Sequence, residues 1–311
     1  MRQIISVLEM VFPVIFMLYI GYLCRVKNVF SKEGLAGIKS VISTIALPVV
    51  LFQAFYATEY TLSSLFILIV IFTGCCLSLA AGRLLGRFFP DSRLMPYLMA
   101  GYEVGMLGYA LFGLLAGSDN LSYMVTVDLG QVIFVYTVFL TLLKSATGHK
   151  PSAKEMLKET LRNPAFLGMS IGLLFGVSGL GRLIASSPLG GVFNSTIAMI
   201  TAPTSAMILI IVGYELSFRR DMFAPVLKTI LLRVVVLGVL LVVSCAVIFC
   251  VVPFDKNLFM ALILLFSLPA PFIIPLYADV ESEGVYISTT LSMNTLVTVL
   301  IFIILSVYAL S

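Results

Sequence analysis

Two carboxylic acids stand in stretches of this chain that are otherwise apolar, and charged groups in such stretches are costly enough to be functional candidates. Glu103 lies in AGYEVGMLGYALFG, where Gly101, Gly105 and Gly108 weaken a helix and allow close backbone approach. A buried carboxyl that gains and loses a proton is what a proton carrier needs. The alternative role is a structural carboxylate bonded to the end of a broken helix. Asp128 lies in VDLGQVIFVYTVF, with Gln131 one turn on and Tyr136 beyond it. It could pair with Glu103, relay protons, or rest at the water interface. Further on, FSLPAPFIIPLYADVESEG holds Pro269, Pro271 and Pro275. The first two remove amide donors and disfavour helix at Leu268 and Ala270. A helix restarting beyond them would aim its amides at the membrane centre, which suits an anion. Asn294, in STTLSMNTLVT, adds a hydrogen-bonding group, although packing of a Ser/Thr-rich helix explains it as well. Arg233 and Lys39 lie nearer the inner ends of their segments, where snorkelling suffices. Glu215 stands close to Arg219 and Arg220, and a surface ion pair is expected there.

The elements that must hold these groups are membrane spans. Sixty per cent of residues are hydrophobic and 11% are charged, which excludes an ordinary soluble domain. With roughly 20 apolar residues per crossing, ten spans are expected. They cover about 8–23, 35–57, 62–82, 94–116, 122–143, 164–180, 192–215, 226–250, 258–278 and 286–310. The proline punctuation repeats between halves. Pro13 and Gly21 recur as Pro164 and Gly172 with the same spacing, and Pro48 recurs as Pro203. Breaks at corresponding places in two halves point to a binding site at mid-membrane. The expected division is a first five-helix repeat over 1–143, a cytoplasmic linker over 144–163 and a second, inverted repeat over 164–311.

The chain holds 19 Lys and Arg. With the N-terminus outside, only Arg2, Arg182 and Lys256 fall in outer segments; all others except Lys39 and Arg233 fall in inner loops. This bias places both termini outside, and it makes the net charge of +4 a matter of topology rather than of a nucleic-acid partner. The first span carries the repeat's own Pro13 and Gly21 and reads as a span, not a removable signal peptide. The five cysteines show no C-x-x-C spacing and read as packing residues. His149 is the single histidine, so a histidine-built metal site is excluded; no phosphate-binding glycine loop is present, and no cofactor is expected. The linker, KSATGHKPSAKEMLKETLRN, is basic, with a short amphipathic helix expected over 152–162 against anionic lipid. Gly168, Gly172 and Gly176 form a GxxxGxxxG, either a homodimer face or an internal seam.

Three stretches, FPVIFMLYIGYLCRVKNVFSKEGLAGIKSVISTIALPVVLFQAF at 12–55, QVIFVYT at 131–137 and LPAPFIIPLYADVESEGVYISTTLS at 268–292, are similar to the auxin efflux carrier family. The similarity is to its short bacterial form, the malate or carboxylate permeases. It covers essentially the whole chain. It implies ten spans in two inverted repeats, with spans four and nine broken and crossing. It also implies a scaffold of spans 1, 2, 6 and 7 and a mobile transport domain of spans 3–5 and 8–10. The family's span-four crossover typically carries asparagine, glycine and proline; the positions here are Glu103, Gly108 and Ala110. Gln131 and Tyr136 match a Gln and Tyr of the plant carriers' fifth span. A fixed anion at 103 would repel a carboxylate cargo by several kcal/mol, about 4 at 4 Å and an effective dielectric of about 20. Either Glu103 is protonated when the anion binds, or the cargo is neutral or cationic. In the related bile-acid sodium symporter architecture, acidic and amide groups near the crossover hold sodium, which keeps Na+ beside H+ as a coupling ion.

The sequence therefore reads as an all-α secondary active transporter, not an enzyme, in a prokaryotic plasma membrane. It would carry small organic anions by elevator-like alternating access, with a proton coupled through Glu103. The substrate contacts expected are Glu103, Gly105, Gly108, Gln131, Tyr136, Pro269, Ala270, Pro271 and Asn294, with Pro48 and Pro203 kinking the helices that face the cargo. Glu103 and Asp128 are the ion-coupling pair. The alternatives are a sodium- or proton-linked carrier of a neutral or cationic solute and a non-transporting membrane receptor or sensor.

Overall fold

The computed structural model describes residues 2–88, 93–148, 152–277 and 283–310. Among them the regular structure is helical, with no strand. Seven helical stretches are long and apolar enough to cross a membrane, and Val104–Ala116, Pro164–Ser178 and Lys256–Ser267 are apolar but shorter. The protein is thus an all-helical membrane protein. His149, Lys150 and part of the 144–163 linker lie outside the described residues.

Helix α1 (Arg2–Val26) runs through Pro13 without interruption. Helix α2 (Lys32–Val41) starts at Ser31, whose hydroxyl accepts from Gly34 N–H at 3.0 Å. It leads through a π turn, Ile42–Ala46, into α3 (Leu47–Tyr56). The turn is wide because Pro48 offers no amide, and Leu47 N–H reaches back five residues to Ile42. Helix α4 (Leu62–Leu85) opens on a capping box of Thr61 and Ser64.

The fourth apolar stretch breaks. Helix α5 (Met95–Leu98) stops, residues 99–103 run irregularly, and a π turn over Val104–Gly108 leads into α6 (Tyr109–Ala116). Gly101 has φ +70°, a conformation that an L side chain resists. Helices α7 (Leu121–Phe134) and α8 (Leu140–Ala146) form one long rod joined by a π turn. The basic linker holds α9 (Ala153–Thr160), begun by a Ser152/Glu155 capping box.

The second half contains α10 (Pro164–Ser178), α11 (Leu180–Ala185), α12 (Gly190–Thr201), α13 (Thr204–Glu215) and α14 (Phe223–Val251). Pro164 starts α10, where its missing amide costs nothing, whereas Pro13 lies mid-helix. Pro203 sits in a turn between α12 and α13. Matching spacings therefore produce different local structures. Helix α15 (Lys256–Ser267) is capped by Asp255, which accepts from Asn257 and Leu258 N–H at 2.8 and 3.0 Å. It ends at Leu268 in extended backbone. The helix expected to restart after Pro271 is only one 3-10 turn, Ile274–Tyr277, among the described residues. Pro275 within that turn has no amide to extend it. Helix α16 (Glu283–Ala309) completes the fold.

Glycines let the two halves meet backbone to backbone. A Cβ on Gly21 of α1 would lie 2.0 Å from Ile210 O of α13, and one on Gly213 would lie 2.1 Å from Leu18 O. A Cβ on Gly168 would lie 2.3 Å from Pro48 O, with Gly172 and Gly176 continuing the seam against Phe52 O and Phe55 O. The GxxxGxxxG is therefore an internal seam between α10 and α3, which spends its small residues inside the fold rather than on a dimer face.

Candidate functional site

The two breaks meet at Glu103. Its N–H donates to Pro269 O at 2.8 Å, which ties the fourth stretch to the segment after α15. Its carboxylate then bonds on both sides of the crossing. Oε1 accepts from Met106 N–H at 3.2 Å, capping the turn that begins at Val104. Oε2 accepts from Phe272 N–H at 2.6 Å, in the turn after Pro271. Hydrogen bonds to an ionised carboxylate are about twice as strong as neutral ones. One side chain thus satisfies amides that two broken elements leave without helical partners. The helix start expected beyond Pro271 is replaced by a turn, so Phe272 supplies a turn amide rather than a helix terminus.

Beside Glu103 lies a cavity of about 210 Å³. It is bounded by Leu47 and Leu51 of α3, the break at 102–105, one face of α7 and α8, Asn163 and Met169 at α10, and Pro271 and Ile273. Its polar side chains include Glu103, Asp128, Gln131, Tyr136 and Asn163, and no Lys or Arg lines it among the described residues. Pockets for drug-sized ligands measure roughly 300–1,000 Å³, so this space is smaller than those.

Asp128 is 2% exposed, which overturns a place at the water interface, and its partner is not Glu103. Tyr109 O–H donates to its Oδ2 at 3.0 Å, and Oδ1 has no partner among the described residues. One turn on, Gln131 Nε2 donates to Tyr102 O at 2.7 Å, holding the break against α7, while its Oε1 is also unpartnered. Gly130 between them allows α7 to touch α4, since a Cβ there would lie 2.3 Å from Leu68 O. The Tyr136 ring packs edge-on to Phe166, centroids 4.9 Å apart, at the cavity wall.

The remaining expected contacts are placed differently. Gly105 and Pro271 line the cavity; Gly108, Pro269, Ala270, Asn294, Pro48 and Pro203 do not. Gly108 packs toward Leu268 of the other break, and Pro48 toward Gly168. Ala270 is buried in the crossing, where Pro269 accepts from Glu103 N–H. Pro203 is exposed. Asn294 Nδ2 approaches Leu268 O at 3.4 Å behind the break.

Two charged side chains, Glu215 and Arg233, find partners across the fold that differ from those expected. The surface ion pair expected of Glu215 forms, but with Lys39 of α2, while Arg219 turns to Asp221 at 3.2 Å. Proximity in sequence is a poor guide because Leu216 leaves the helix in extended backbone. Arg233 does not snorkel. It is 2% exposed, bonded through Nη1 to Leu98 O and through Nη2 to Gly101 O and Leu268 O, both at 2.9 Å. Its depth is the signal that sequence offered, since it lies about 15 Å from the start of α14 at 1.5 Å per residue.

A helical membrane protein whose polar centre is built from two broken, mutually bonded segments belongs to the class that moves solutes. Residues 6–309 match the membrane transport protein family, and the chain belongs to it, the auxin efflux carrier family that its sequence resembles. An uncharacterized transporter of Methanothermobacter thermautotrophicus is 25% identical over 217 residues, 68% of either chain. The protein is a membrane transporter and not an enzyme.

Proposed function

We propose that this transporter is a proton-coupled secondary carrier of small organic anions, carboxylates of a few carbons, in which the cargo and Glu103 compete for the same amides. The observation that carries this reading is the pair of bonds from Met106 and Phe272 N–H to the Glu103 carboxylate. When Glu103 takes up a proton, its carboxyl becomes a weaker acceptor and loses the charge that repels a carboxylate. The amides then become available to a cargo anion, and deprotonation on the other side returns Glu103 to them and expels the cargo. The repulsion of about 4 kcal/mol between two close anions at an effective dielectric of about 20 becomes the coupling. Asp128, with one oxygen unpartnered in the same cavity, is the second proton site.

The same reading takes the chain as two inverted five-helix repeats joined by the 144–163 linker, ten spans in all, with both termini outside a prokaryotic plasma membrane. The glycine seams support it. Gly21 and Gly172 correspond by spacing, and each packs on the span equivalent to the other's partner, α13 and α3. Helices α1, α3, α10 and α13 would form the scaffold, and the cavity lies between α3, α10 and the breaks. Movement of the breaks with α7 past that wall gives alternating access of the elevator kind.

A second reading has one observation in its favour. The absence of Lys and Arg from the cavity lining, among the described residues, suits a cationic or neutral solute balanced by Glu103 and Asp128. Currents from liposomes on a solid-supported membrane separate the two. Jumps of a carboxylate panel at two pH values, without sodium, should evoke a pH-dependent current in the wild type. Glu103→Gln should lose the pH dependence. Silence toward every carboxylate, with currents evoked by amines or amino acids, would establish the second reading instead.

A further inference from the structure

Arg233 holds a set of ligands that would suit a metal ion. Leu98 O ends α5, Gly101 O lies in the first break and Leu268 O ends α15; all three accept from one guanidinium. Carbonyls at helix C-termini lack intrahelical donors and carry partial negative charge. In carriers with broken helices, such carbonyls coordinate sodium near mid-membrane. The bonded partners of this guanidinium include no carboxylate among the described residues; the Tyr102 ring, its centroid 5.8 Å from Cζ, adds a cation–π contact. A buried cation compensated by dipoles alone is expensive. Neutral donors could have satisfied the carbonyls more cheaply. Asn294 reaches Leu268 O, and Thr298 donates to the neighbouring Ser267 O at 2.5 Å. Among these donors, Arg233 alone joins both breaks, and it brings a full positive charge to their junction.

We infer that Arg233 is a tethered cation occupying the carbonyl cluster between the two breaks, the place of a coupling sodium, so that the crossing is assembled without any metal ion. This rests on the carrier reading for its consequence, sodium independence, but not for its geometry. It also explains how the breaks stay together while Glu103 releases Phe272, because the guanidinium holds them from the opposite side.

Thermal unfolding of purified protein in detergent tests this without any cargo, so an error in the cargo class leaves the result untouched. Light scattering reports the transition, since the chain has no Trp. Wild type, Arg233→Lys and Arg233→Ala are compared in choline, sodium and guanidinium chlorides at equal, sub-denaturing concentration. The wild-type midpoint should be the same in sodium and choline. Arg233→Lys, which keeps the charge, should stay closer to wild type than Arg233→Ala. The alanine variant should melt lower in choline and regain several degrees, saturably, with sodium or guanidinium, as a ligand binding only the folded state requires. A sodium-dependent midpoint in the wild type, or a folded alanine variant indifferent to both cations, would overturn the inference. Should the alanine variant fail to accumulate, retention of radioactive sodium by the wild type decides. Retained sodium refutes the assignment, and its absence upholds it.

Discussion

Asp128 shows how much a single buried oxygen demands. Its Oδ2 is held by Tyr109, and its Oδ1 is buried in the cavity wall without a partner among the described residues. Removing the donor should therefore cost the desolvation of a polar acceptor, roughly 1–3 kcal/mol, rather than the smaller net value of an average bond. Tyr109→Phe should lower the unfolding free energy by that amount. In a double-mutant cycle with Asp128→Ala, the two losses should fall short of additive by about 0.5–3 kcal/mol. Strict additivity in denaturant titrations would show that the contact carries no stability. The same residues mark what sequence could and could not tell. Glu103 and Asp128 stand out because carboxyls are rare in apolar runs, whatever their neighbours. Their partners do not stand out, since Tyr109 and Phe272 bond through atoms that composition cannot single out. Arg233 was misjudged for a related reason. Helix α14 is apolar on every side, so no stripe reveals which face turns inward.

At the scale of elements, glycine decides where helices touch. Gly168 and Gly21 would each place a Cβ within 2.3 Å of a backbone carbonyl of the facing helix, a contact that side-chain rotation cannot relieve. Gly168→Ala and Gly21→Ala should each destabilise by about 1–3 kcal/mol through overpacking. Gly37→Ala in α2, with nothing within 4 Å of its added carbon, should be neutral or gain up to about 1 kcal/mol from helix propensity. Midpoints of thermal unfolding for the three variants check this, and equal midpoints would remove the seams from the account. The breaks were legible for the same kind of reason. Gly101 and the prolines at 269 and 271 limit the backbone locally, and local limits can be read without knowing the fold. The π turns at Ile42–Ala46 and Val135–Phe139 were not legible. The second lies in VYTVF, which contains neither Gly nor Pro, so its wide turn is set by tertiary packing.

At the scale of the whole molecule, the cavity separates the wall of α3 and α10 from the breaks and α7, the two sides that would slide past each other in the proposed elevator mechanism. The halves are knitted along α1–α13 and α3–α10 by carbonyl-to-glycine seams, which leave no slack for movement between those four helices. The contacts that cross the cavity are of another kind. Leu47 and Leu51 face Val132, Val135 and Leu140 through apolar side chains, which have no hydrogen-bonding atoms to hold them in register. Sliding apolar surfaces costs only the area briefly exposed, about 25 cal/mol per Å², whereas sliding a glycine seam would drive backbone into backbone. Motion is therefore expected at the cavity and not at the seams. A short bifunctional thiol reagent joining Leu51→Cys to Val132→Cys, in a background with the five native cysteines replaced, should stop solute movement and leave the unfolding midpoint unlowered. Linking Gly37→Cys to a neighbouring position on α2 should leave transport intact. Undiminished flux in fully linked Leu51/Val132 protein would mean that α3 and α7 keep their places through the cycle, and that access alternates by rearrangement within the breaks alone.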